Sequence, residues 1–149
     1  MTAPSPRAGV PLYTPEILGL AVELANHPLD QGLSGRGEAT SRVCGSRIAI
    51  GLATTSSGAI ERVGAHVTAC AIGQAAAALF LRSAPGNDRE DVARAAAMLG
   101  AWLKGDDTAP DWPGLTALAP ARSYPARHAA ILLPWEAALD ALSKHGPAG

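Results

Sequence analysis

The sequence predicts an α+β fold: a small antiparallel sheet of about three strands, covered by helices on one side. Two observations carry this. Apolar residues recur at helical spacing at both ends of the chain, whereas between Glu38 and Val67 they alternate, most clearly as Ile48, Ile50 and Leu52. The order helix, short sheet, then helices keeps the two kinds of element apart, as in α+β proteins.

Each element has a local reason. Thr14-Pro15-Glu16 is a helix start: a capping hydroxyl, proline at the first helical position and an acid near the positive dipole end. Ile17, Leu18, Leu20, Ala21, Leu24 and Ala25 follow, and Pro28 ends the run. Gly32–Gly37 has no periodicity and reads as a loop. Strands are expected over Arg47–Thr54 and Ile60–Val67, joined by the turn residues Thr55-Ser56-Ser57-Gly58, with Glu38–Val43 as a third. Ala71–Arg82 is an alanine-rich helix stopped by Pro85-Gly86. Asn87 or Asp88 caps the next, which runs to Gly105 with Val92, Ala95, Ala96, Leu99, Trp102 and Leu103 on one face. A linker with Pro110 and Pro113 leads to a short turn at Leu115–Leu118. The last helix spans about Arg127 to Leu142, with Pro134 in its first turns, where proline costs least. The expected organisation is a lead-in over 1–11, one domain over 12–143 and a flexible tail over 144–149.

Composition limits the function. The chain has 149 residues, 48% of them hydrophobic and 17% charged, below the average of about 25%. With 32 alanines and only six aromatic residues, its core must consist of small side chains on closely approaching helices. A net charge of −1 gives no electrostatic footprint for nucleic acid, and no polybasic run addresses an anionic membrane. The longest charge-free apolar run, Val67–Leu81, has 15 residues against the 18 or more of a spanning helix. Met1–Pro11 lacks the apolar stretch of a signal peptide, so Cys44 and Cys70 are expected as reduced thiols in the cytoplasm.

Common catalytic patterns are absent: no G-x-S-x-G, H-E-x-x-H, phosphate-binding loop or dinucleotide fingerprint. His27 and His145 read as exposed, and His66 as a structural strand residue. The cysteines carry more. Cys44 precedes Gly45, which permits a turn and close approach to an ion. Cys70 immediately precedes the helix at Ala71, where unpaired N–H groups and the positive dipole end favour a thiolate. On this ground Cys70 is the more activated acceptor and Cys44 its neighbour. Two buried, inert thiols are the alternative.

Val43-Cys44-Gly45-Ser46-Arg47-Ile48 resembles the first cysteine motif, C-G-D-x-I, of the U-type iron–sulfur cluster assembly proteins: the NifU N-terminal, IscU and SufU group. Cys70-Ala71-Ile72-Gly73-Gln74-Ala75 is similar to the second, C-A-I-x-Q-A. Leu12-Tyr13 resembles the family's start, and Trp102–Leu118 the insertion of the SufU branch. Tyr124-Pro125-Ala126-Arg127 with Leu133-Pro134-Trp135 resembles the third-motif segment. The likeness covers about Leu12 to Leu142. The departures are Ser46 where the family has aspartate, Ala130 where it has the third cysteine, and Ala69 for the glycine before the second.

The resemblance implies a U-type scaffold fold and a non-enzymatic role. That role is an iron–sulfur cluster assembly scaffold or sulfur carrier, working with a cysteine desulfurase and recipient apo-proteins, with a homo-oligomer as one assembly open to it. Cys44 and Cys70 are then the sulfur acceptors. They are also two of the metal ligands, with His128 as a substitute third because it lies two residues before Ala130. The cargo is a transient [2Fe-2S] cluster or zinc. Two alternatives stand beside this reading: a zinc-dependent sulfur-transfer protein, and a degenerate, metal-free interaction module of the same fold.

Overall fold

A computed structural model of the chain describes residues 12–145. The lead-in expected over 1–11 and the tail beyond residue 145 lie outside the described residues. The observed order is α1 (Pro15–Glu23) with a 3-10 turn at Leu24–Asn26, β1 (Gly35–Thr40), β2 (Arg47–Thr54), β3 (Ile60–Thr68), α2 (Ala71–Ser83), α3 (Arg89–Leu103), 3-10 turns at Leu115–Ser123 and Pro125–Arg127, and α4 (His128–His145). The strands form one antiparallel sheet in the order β1-β2-β3. The α+β expectation is met.

Local chemistry explains most boundaries. The Thr14 hydroxyl accepts from Ile17 N–H at 3.1 Å, with Pro15 opening α1. Asp88 and Asp91 form a reciprocal capping box at the start of α3. Three elements differ most from expectation. The third strand begins at Gly35, inside the stretch read as a loop, and ends at Thr40 rather than Val43. Its glycines erase the apolar alternation that marks a strand. The turn expected at Leu115–Leu118 continues as 3-10 helix to Ser123, and α4 runs through His145, into the expected tail.

α4 packs across β1 and β2, and α2 packs against α1, α4 and β3. The core between them is built from Ile48, Ile50, Leu52, Ile72, the alanines of α2, Leu79 and Ile131. Phe80, Trp112 and Trp135 meet in one cluster: Phe80 stacks on Trp112 at 5.2 Å, and Trp135 meets both edge-on at 5.2 and 5.4 Å. Trp112 also donates its indole N–H to Leu79 O at 2.9 Å, which ties the 102–118 segment into the core. Arg122 closes the far end of that segment. Its guanidinium lies 4.9 Å from the Trp102 ring centre and donates to Trp102 O and Asp106 O. On the opposite sheet face, Leu29 and Leu33 lie over Gly51. Among the described residues no helix is long and apolar enough to cross a membrane.

The closest approach of helix to sheet is at Gly37. A Cβ there would overlap Ala137 O and Ala141 N and come within 2.9 Å of Ala141 Cα, all backbone atoms that cannot swing away. Gly37→Ala is therefore expected to lower stability by about 1–3 kcal/mol in urea denaturation. Gly100→Ala, in α3 with no atom within 4 Å of the new Cβ, should instead be neutral or stabilise by up to about 1 kcal/mol.

Candidate functional site

The hairpin register brings both cysteines to one end of the sheet. Arg47 pairs with Thr68 across β2 and β3, Cys44 precedes Arg47 by three residues, and Cys70 follows Thr68 by two. Cys44 is exposed and Cys70 half-buried, and both are free thiols.

Cys44 sits in the loop between β1 and β2. The loop is closed by Ser41 N–H donating to Ser46 O at 2.8 Å and Gly45 N–H donating to Ser41 O at 2.9 Å. Gly45 has φ +73°, the left-handed region that L side chains avoid, so glycine is needed here. The loop turns two hydroxyls toward the thiol: Cys44 Sγ lies 3.0 Å from Ser46 Oγ and 3.5 Å from Ser41 Oγ. Each serine is only 4% exposed, and they are the buried polar residues of the described chain. As a thiol, Cys44 can donate one proton to this pair; as a thiolate, it accepts from both hydroxyls. The Ser41 hydroxyl, then the Ser46 hydroxyl and backbone N–H, with the more distant Arg127 charge, hold the thiol below its ordinary range. Burial opposes them by more than the Arg127 charge adds.

Cys70 occupies the N-cap of α2 as expected, but its sulfur accepts no hydrogen bond from the helix N–H groups. The ranking of Cys70 as the more activated thiol rested on the helix N–H groups and the dipole end, of which the N–H groups make no bond to the sulfur. The hydrogen-bonding hydroxyls are instead at Cys44. Gln74 of the second motif has a structural part: its side-chain amide donates to Ala69 O at 2.9 Å and fixes the turn that carries Cys70.

The third-motif segment also reaches this end. Ala130 is 1% exposed, and its Cβ lies 3.4 Å from a Cβ built on Gly73, in the first turn of α2. The position of the missing cysteine is thus filled by a buried methyl next to the Cys70 turn. His128 does not take its place. Its Nε2 lies 3.2 Å from Ala121 O and 3.1 Å from Arg122 O; carbonyls only accept, so this nitrogen carries a proton and is committed to the backbone. Among the described residues no group of three or more His, Cys, Asp or Glu side chains is placed to hold a metal ion. Cys44, Cys70 and His128 are therefore not gathered as a ligand triad. A [2Fe-2S] cluster takes four ligands and a closed zinc site four, so one chain does not complete either.

His27 is half-buried 3.6 Å from Glu23, which also pairs with Arg82, and His66 is exposed on the open sheet face. The residues that sequence reasoning missed are Ser41 and Arg127. Their signal was present as a serine three positions before Cys44 and the arginine of Tyr124-Pro125-Ala126-Arg127. Nothing local says that either meets the thiol.

The fold and the thiol pair define an α+β protein with a three-stranded sheet presenting two cysteines at one end, and this is the U-type scaffold fold. No family model matches the sequence, and no curated protein matches it. Solved structures do. The N-terminal part of a nitrogen-fixing NifU-like protein from Brucella abortus is 26% identical, with a TM-score of 0.81 over 89% of this chain and 93% of that one. A protein of thermophilic Fervidobacterium islandicum, described as an iron–sulfur cluster assembly scaffold for the SUF system, is 18% identical, with a TM-score of 0.75 over 85% and 93%. At that identity the second likeness speaks for the fold alone.

Two outcomes are expected. In iodoacetamide labelling read by peptide mass mapping, Cys44 should react faster than Cys70, with a rate–pH midpoint below the ordinary thiol value of about 8.5. Each unit of lowering raises the thiolate fraction about tenfold at lower pH and costs about threefold in intrinsic nucleophilicity, so the net effect is a gain. His128→Ala should cost about 1 kcal/mol in denaturation and leave Cys44 labelling unchanged, since its bonds are to backbone.

Proposed function

We propose that this protein works in iron–sulfur cluster assembly, as a scaffold-fold sulfur acceptor that takes persulfide sulfur from a cysteine desulfurase and passes it to recipient proteins. The observation that carries the reading is the exposed Cys44 thiol, held by two buried hydroxyls, at the first-motif position of a U-type fold. Sulfur transfer needs one accessible, stabilised thiolate, which this loop offers. It also needs reduced thiols, consistent with a cytoplasmic setting.

Building a cluster needs more than one chain provides. Cys44 and Cys70 account for two of four ligands; a [2Fe-2S] cargo, or zinc, takes the rest from outside this chain, from water, a recipient or a second copy. A second reading, a metal-free interaction module, is favoured by one observation: the buried Ala130 methyl at the third-ligand position.

Incubation with a cysteine desulfurase and L-cysteine, followed by alkylation and mass mapping, separates the two. One added sulfur atom on Cys44, lost in Cys44→Ala, is the expected result. Unmodified thiols in a protein that still binds the desulfurase would establish the interaction module instead. Iron with acid-labile sulfide in anaerobically purified protein, appearing only in species of two or more chains or together with a recipient, is the expected metal signature.

A further inference from the structure

The loop around Cys44 contains two groups with no evident structural need to be polar. Ser41 and Ser46 are each 4% exposed, and the loop is already closed by backbone bonds from Ser41 N–H and Gly45 N–H. Alanine would fill either position without leaving a buried donor. Both hydroxyls instead face one exposed sulfur, at 3.5 and 3.0 Å. Cys70 has no equivalent: its sulfur makes no helix-cap bond. Ser46 stands where the U-type motif has an acid, which at this distance would set a negative charge against an anionic sulfur; a hydroxyl donates to it instead.

We propose that Ser41 and Ser46 are positioning residues that make Cys44, rather than Cys70, the first acceptor of sulfane sulfur. This rests on the sulfur-acceptor reading above. In the step, the Cys44 thiolate attacks the outer sulfur of a donor persulfide, R–S–SH. A Cys44–S–SH bond forms, the donor S–S bond breaks, and R–S⁻ leaves with the electron pair. The sulfane sulfur keeps its oxidation state, so no oxidant or reductant is consumed. The two hydroxyls hold the attacking sulfur toward solvent, and they can donate in the same way to the persulfide anion once its terminal proton is lost.

The test uses glutathione persulfide as the probe, with alkylation at timed intervals and mass mapping of both cysteine peptides. In the wild-type protein, sulfur is expected on Cys44 first. Ser46→Ala and Ser41→Ala should slow Cys44 loading by about threefold each, the roughly tenfold loss of thiolate fraction being partly offset by higher intrinsic nucleophilicity, and leave Cys70 loading unchanged. Ser41→Thr, which keeps the hydroxyl, should retain most of the rate, whereas Ser46→Asp should slow it further than Ser46→Ala. Circular dichroism on each variant separates these effects from unfolding, and Ser41→Thr against Ser41→Ala remains decisive if Ser46→Asp does not fold. Loading on Cys70 first, or alanine variants that load as fast as wild type, would overturn the proposal and leave the acceptor reading standing. A wild-type protein that takes up no sulfur, from glutathione persulfide or from a charged desulfurase, would overturn both.

Discussion

The seating of α4 on the sheet is the constraint from which the rest follows. Gly37 lets the helix backbone at Ala137 and Ala141 come against β1 with no side chain between them. Dispersion falls steeply with distance, so this contact fixes the helix in depth and rotation more tightly than larger side chains would. Further along the same helix, Ala130 meets the turn that begins at Cys70, and the segment just before it brings Arg127 near Cys44. Moving α4 outward by the thickness of a methyl group would displace the third-motif segment from the thiol end.

The aromatic cluster anchors the opposite side. Phe80, Trp112 and Trp135 come from α2, from the 102–118 segment and from α4, so one contact ties three parts of the chain. It also compensates for composition. Alanines dominate α2 and contribute little area each, and three large rings supply much of the apolar burial that the small residues do not. A rigid frame of this kind is what lets a short loop hold a sulfur between two hydroxyls at fixed distances.

At the thiol end the balance between sulfur and metal chemistry is set by three positions. Ser46 offers a hydroxyl in place of an acid, Ala130 a methyl in place of a thiol, and His128 an imidazole whose Nε2 is already bonded to the backbone. Neither the Ala130 methyl nor the proton-bearing Nε2 of His128 can hold a metal ion. The Ser46 hydroxyl is bonded to Cys44.

By itself the sequence determined the element types, the sheet composition and the two thiol positions, because these depend on short-range rules. Thr14-Pro15, the Asp88–Asp91 box and the alternation of Ile48, Ile50 and Leu52 act over a few residues and leave a periodic trace. The start of β1 left none, since Gly35 and Gly37 carry no side chain and the need for Gly37 lies a hundred residues away at Ala137. Only the tertiary structure decided which cysteine is stabilised and what His128 does. Hydrogen bonds form between atoms within about 3.5 Å, and spacing along the chain says nothing of that distance once a loop has turned. Ser41 and Ser46 flank Cys44 in sequence, yet only the closed loop turns both hydroxyls inward; His128 lies two residues from the missing ligand, yet the start of α4 turns its Nε2 toward the carbonyls of Ala121 and Arg122.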